Sequence, residues 1–244
     1  MSSIGIDSFF SFLSSERYRS PSEHESLFIR QCLINYNISK AQLFQDIFAL
    51  HVLGWRRSGF FVEFGATNGE DLSNTYLLER NFEWKGILSE PNPVWHRDLN
   101  KSRQCIIDHR CVWSESGSNI MFSYNDVDAE FATAEIFQLS DMHARIRKDF
   151  KLMEVETVSL NDLLYQNHAP SIIDYLSIDT EGSELEILKE FDFKKYHVNV
   201  VTVEHNFNAI ARENIFRLMN ANGFTRQFEN LSQWDDWYVN SHIS

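Results

Sequence analysis

Apolar residues along this chain follow two rhythms, and the way they alternate predicts an architecture. Short apolar runs at Phe60–Phe64, Trp84–Ser89, Gln104–Asp108, Ile172–Ile178 and Val198–Val203 have strand length and β-branched or aromatic content. Leu43, Ile47, Leu50 and Leu53 keep helical spacing, which predicts a helix over Lys40–Gly54 with one buried face. Further helices are predicted near His24, at Asp71–Arg80 with Asp71 as N-cap, at Pro93–Lys101 with proline in the first turn, at Ser183–Lys189, and at Ala209–Ala221 ahead of Gly223. Strands alternating with helices at this spacing predict an α/β fold, a mostly parallel sheet with helices on both faces.

Three stretches depart from the alternation. Ser118–Tyr124 reads as an additional short strand, and the mixed stretch 125–154 as an insertion over the active site. Thr225–Phe228 and Trp237–Val239 read as two antiparallel strands joined by a polar turn. Residues 1–38 read as an N-terminal helical arm and 39–244 as the main domain. Within the arm, Ile4, Ile6, Phe9, Phe10, Phe12 and Leu13 suit either an amphipathic docking segment, through which the chain would form a homo-oligomer, or a loosely attached terminus.

Composition narrows the partners. The formal net charge of −13 over 244 residues repels phosphate backbones, so nucleic acid is not expected. Three cysteines, Cys32, Cys105 and Cys111, are odd in number and lack CxxC spacing, which speaks against a disulfide framework and a zinc site. No apolar run is long enough to span a bilayer, and the N-terminal apolar run has no basic residue ahead of it. These features together predict a cytoplasmic protein.

The first strand runs into Glu63-Phe64-Gly65-Ala66-Thr67-Asn68-Gly69. Glycines at a strand end let backbone approach a ligand closely. The G-x-G-x-x-G pattern of a dinucleotide site is missing, which disfavours a nicotinamide-dependent oxidoreductase. A carboxylate at Glu63 would repel a pyrophosphate and suit a cationic or zwitterionic ligand. Glu90 ends the second strand, where an acid can accept both hydroxyls of a ribose. The two acids therefore bracket a nucleoside that carries no phosphate.

The chain resembles the FkbM family of methyltransferases. The matching pieces are Gln42–Asp46, Gly59–Ala66, Ser73–Thr75 with Leu78 and Glu79, Trp84–Leu88, Glu90–Pro93, Asp174–Glu184 and Val203–Asn206. The resemblance implies a Rossmann-like class I methyltransferase fold with an antiparallel C-terminal strand, S-adenosylmethionine as cofactor, and O-methylation of sugars or secondary metabolites. It carries the cofactor residues onto Glu63, Gly65, Asn68, Gly69 and Glu90, puts the adenine loop near Asp108 and Arg110, and lays Gln42 over the cofactor. Thr67 departs from the middle glycine of the broader methyltransferase motif.

Two polar clusters follow the later strands, where open α/β sheets bind ligands. They are Asp179-Thr180-Glu181-Gly182 and Glu204-His205-Asn206. Methylating a hydroxyl requires a base, and His205 is the first candidate, with Asp179 and Glu181 as alternatives. Asp179, Glu181, Glu204 and His205 also offer ligands to a divalent cation such as magnesium, against which stands an acidic rim without metal. Trp234 and Trp237 beside acids suit sugar binding, although a packed strand explains them equally. A non-catalytic binding or scaffold protein on the same fold is the competing functional class.

Overall fold

The computed structural model describes residues 9, 11, 13–14, 21–137 and 145–243. The possible docking segment at the N-terminus lies largely outside them. Among the described residues the α-helices run in order: α1 (Glu23–Asn35), α2 (Gln45–Val52), α3 (Tyr76–Phe82), α4 (Pro93–Ser102), α5 (Leu160–Gln166), α6 (Glu184–Lys189) and α7 (Ala209–Ala221). The described strands are β1 (Phe60–Phe64), β2 (Lys85–Ser89), β3 (Ile106–Asp108), β4 (Cys111–Trp113), β5 (Asn119–Tyr124), β6 (Thr133–Ala134), β7 (Lys151–Ser159), β8 (Ile172–Ile178), β9 (His197–Glu204), β10 (Phe224–Gln227) and β11 (Asp235–Asn240).

The main sheet has the order β10-β11-β9-β8-β1-β2-β3. Every neighbouring pair is parallel except those made by β11, which runs antiparallel to both β9 and β10. This is the Rossmann-like arrangement expected from the sequence. One apolar cluster joins α1, α2, α3 and α4 to one face through Phe28, Phe48, Leu77, Leu99 and Phe61. The other joins α5, α6 and α7 through Leu163, Ile187 and Ile215 to Val62, Leu176 and Val201. With both faces covered, the strands read as continuous apolar runs.

Three local expectations are corrected. The helix expected over Lys40–Gly54 is shorter, because Phe44 adopts φ 65° and α2 begins only at Gln45. It is also buried from Gln45 to Leu50 rather than along one face. Phe28 of α1 packs edge-on against Phe48, and Trp237 of β11 stacks on Phe48 at 4.8 Å. The helix expected from Asp71 starts at Tyr76, since Leu72 is left-handed at φ 64° and residues 73–75 bond to Glu63 instead. The insertion does not stand alone. It belongs to a second sheet, β4-β7-β5-β6, spanning Cys111 to Ser159, and α5 follows it with Ser159 as N-cap.

The strand order reverses between β1 and β8. Ligands of open α/β sheets bind at such a switch point, beyond the carboxyl ends of the strands.

Candidate active site

A cavity of about 410 Å³ opens at that switch point. Gly65, at the end of β1, makes the convergence possible. Its φ is +74°, and a Cβ there would lie 2.0 Å from the Asp179 carbonyl oxygen. Thr67, at φ 47°, donates its N–H to Glu90 Oε2 at 2.9 Å, and the Asn92 N–H donates to Oε1 at 2.8 Å. Each Glu90 oxygen thus has one protein donor and keeps acceptor capacity for a ligand. Burial pushes the Glu90 carboxyl up to about 7. Glu90 also borders a smaller side cavity of about 40 Å³, walled by Pro91, Cys111, Val112, Phe122 and Ala134.

Glu63 reaches the same cavity wall, but its own chain engages its carboxylate. Ser73 Oγ donates at 3.0 Å, the Asn74 N–H at 2.6 Å, and Thr75 Oγ1 makes a very short contact. The buried Arg103 guanidinium lies 3.7 Å away and pairs with Glu79 at 2.5 Å. Glu63 therefore shapes the loop after β1. Asn74 donates to Ser177 Oγ at 2.9 Å, while its buried Oδ1, at the cavity wall, has no partner among the described residues.

Across the cavity, Asp179 follows β8 and Glu204 ends β9. Together with Glu181 they place carboxylate oxygens within 4.8 Å of one another. The turn bearing Glu181 is pinned by Glu184 Oε1, which accepts from the Thr180 and Gly182 N–H groups at 3.0 and 2.9 Å. Asn206 Nδ2 bridges the cluster, donating to Glu181 at 3.0 Å and Glu204 at 2.7 Å. Buried Arg147, from the segment preceding β7, pairs with Glu181 at 2.5 Å. Burial pushes the carboxyls of Asp179 and Glu204 up, and the nearby Asp179 charge raises Glu204 further. Glu63, Glu90, Glu130, Asp179, Glu181 and Glu204 all line the cavity, and no lysine or arginine is among its described lining residues. Such a field favours a cationic ligand.

The cavity gathers Gln42, Glu63, Gly65, Glu90, Asp179, Glu181 and Glu204 from the sequence-predicted residues. Others lie elsewhere. His205 is directed away from the cavity: its Nδ1 accepts from the Phe207 N–H at 3.1 Å, and its Nε2 lies 3.8 Å from Asp236. Of the candidate metal ligands, Asp179, Glu181 and Glu204 come together, and His205 stands outside their cluster. Asp108 and Arg110 pair with each other at 2.6 Å, outside the cavity lining. Asn68 bonds Asp71 at 2.9 Å. Gly69 packs under α4, where a Cβ would meet Leu99 and Ser102 at 2.6 Å. Trp234 lines the cavity, whereas Trp237 is a core residue. Sequence reasoning missed Asn74, Trp95, Phe131, Arg147 and Asn206 as site residues. Asn74 and Asn206 stood inside quoted motifs, but Trp95, Phe131 and Arg147 carry no local signal.

Comparison with known proteins adds identity to this geometry. No curated protein matches. Among solved structures, the chain is similar to a methyltransferase FkbM from Methylobacillus flagellatus KT, at 12% identity and TM-score 0.48, covering 88% of this chain and 60% of that one. It is also similar to a precorrin-6y C5,15-methyltransferase from Geobacter metallireducens GS-15, at 8% identity and TM-score 0.41, covering 80% and 85% respectively. The chain thus spans 60% of the length of the first of these structures. The family model of the methyltransferase FkbM domain matches residues 63–236, more than half of the chain. The chain belongs to the methyltransferase FkbM family.

Proposed function

We propose that this chain is an S-adenosylmethionine-dependent O-methyltransferase acting on a hydroxyl of a sugar, a glycan or a secondary metabolite. One observation carries the reading: an acidic cavity at the sheet's switch point with no lysine or arginine among its described lining residues, and Glu90 standing between it and a small, largely apolar side cavity. The residues present suit this cofactor. Glu90 would accept the two ribose hydroxyls, and Cys111, Val112 and Phe122 would flank the adenine. Unpartnered Asn74 Oδ1 and Gln42 face the region suited to the amino-acid end. When bound, the cofactor supplies an electrophilic methyl on a sulfonium.

The chain's own residues would do the rest. Trp95, Phe131, Phe207 and Trp234 line the cavity and offer flat apolar faces to an acceptor ring. Asp179 takes the hydroxyl proton, and Glu204 holds a proton beside it, an arrangement favoured by the raised affinities of both carboxyls. Much of the rate comes from holding the reactants in line. We assign the acid cluster to the hydroxyl rather than to a divalent cation, because Asn206 and Arg147 already engage oxygens that a hard cation would need.

Calorimetry of the purified chain with S-adenosylmethionine, followed by labelled-methyl transfer to a panel of glycosides, tests this reading. Absence of binding at millimolar cofactor would favour the non-catalytic scaffold. Activity should persist in EDTA, and loss restored by magnesium would bring back the metal.

A further inference from the structure

We propose that a second cavity, beside the first, holds the apolar body of the methyl acceptor, so that the acceptor is a non-anionic amphiphile with a hydroxyl-bearing head. This rests on the reading of the first cavity as the methyl-transfer site. The second cavity measures about 280 Å³ and is formed by the starts of α6 and α7 and the turn at Phe137. Leu185, Ile210, Ala211 and Phe137 supply its apolar wall. It shares Glu204 and Asn206 with the first cavity. Asn206 and Glu204 thus form the wall common to both cavities, and in the proposed pose the acceptor runs past Asn206 from the acid cluster to the second cavity.

The wall chemistry selects the class of body. Among the described lining residues there is no lysine or arginine, and Glu184, Glu186 and Glu204 are present. The first free N–H groups of α7, on Ile210 and Ala211, are already taken by Asn208 Oδ1 at 3.2 and 3.1 Å. A phosphate or carboxylate thus meets three carboxylates and finds those helix N–H groups occupied, whereas hydrocarbon gains contact. His205 also forms part of the wall, with its buried Nε2 turned toward Asp236 at 3.8 Å. Large apolar side chains also stand in water around the two openings: Ile210 is 77% and Phe207 59% exposed, and Ile136, next to Phe137, is 72% exposed. Apolar surface grouped at a binding cleft marks a contact surface for an apolar ligand.

The test compares methyl β-glucoside with hexyl β-glucoside as probes, titrated by calorimetry into the full chain saturated with S-adenosylhomocysteine. The hexyl compound should bind more tightly, by about tenfold for every two methylenes buried. Ala211→Trp fills the second cavity and should remove that gain. Ile210→Asp, at a side chain exposed enough to spare the core, should reduce it. Equal affinity for the two probes, or a gain that survives both substitutions, overturns the proposal. Cofactor binding is measured separately. Its absence overturns the methyl-transfer reading, while a cavity-dependent alkyl gain would still stand.

Discussion

Glu63 and Glu90 are both buried acids at strand ends, and only their partners separate their roles. Glu63 is held by Ser73, Asn74, Thr75 and Arg103, whereas Glu90 meets two backbone donors and borders both the main cavity and the small side cavity. Replacing Glu90 with Ala should weaken cofactor affinity by roughly tenfold to a hundredfold, the worth of one or two charge-assisted hydrogen bonds. Unchanged affinity in calorimetry would remove the main support for the ribose assignment. The same scale decides the base. Asp179→Asn should lower kcat at least tenfold further than His205→Gln, because only Asp179 lines the cavity; the opposite ranking in single-turnover assays would reinstate His205. Residue types and their strand-end positions were legible in the sequence. The direction of the His205 ring was not, since it depends on Asn206 and Phe207 both adopting left-handed backbone, at φ 44° and 56°.

Elements meet in this protein through a few buried pairs, and these connections escape local pattern. Periodicity located β1, β2, β8, β9 and α7, because long apolar runs report burial directly. It misplaced the start of α3, where tertiary bonds from residues 73–75 to Glu63 outweigh the helix signal at Asp71. It also could not join residues 129–132 of the cavity wall to β8. That link runs through Arg147, which donates to the Phe131 carbonyl at 2.6 Å and to Glu181 at 2.5 Å. Arg147→Ala removes the buried Arg147–Glu181 ion pair, a loss of about 3–5 kcal/mol for a buried pair. Hydrogen exchange should then speed up across residues 129–134 while β8 and β9 stay protected; uniform exchange across the chain would contradict a local role. Gly65→Ala forces a Cβ against the Asp179 carbonyl and should lower the melting temperature measurably through strain of about 1–3 kcal/mol.

At the scale of the whole molecule, acids are concentrated inside as well as outside. Burial pushes Asp46 and Glu90 up to about 7 and Asp235 up to about 8. A carboxyl whose folded pKa is raised stabilises the fold while protonated, and that contribution disappears as pH climbs through the folded value. His51, His96 and His205 are shifted down, so their effect falls below about pH 6.5, where unfolded histidine takes up its proton. Between about pH 6.5 and 8 the acids dominate. The ligand-free protein should therefore melt at progressively lower temperature across that range, and a flat or rising profile in scanning calorimetry would contradict the buried acid set. A cationic ligand should narrow the loss. From its sequence alone this chain determined its α/β alternation, the acids at its strand ends and its excess of negative charge, because periodicity and composition are local or additive properties. Tertiary structure alone decided that Glu63 is engaged while Glu90 borders the ligand space, that His205 stands apart from the cluster of Asp179, Glu181 and Glu204, and that a second cavity adjoins the first. Those outcomes depend on contacts between residues far apart in the chain, and a linear pattern does not encode which side chain occupies the space another leaves.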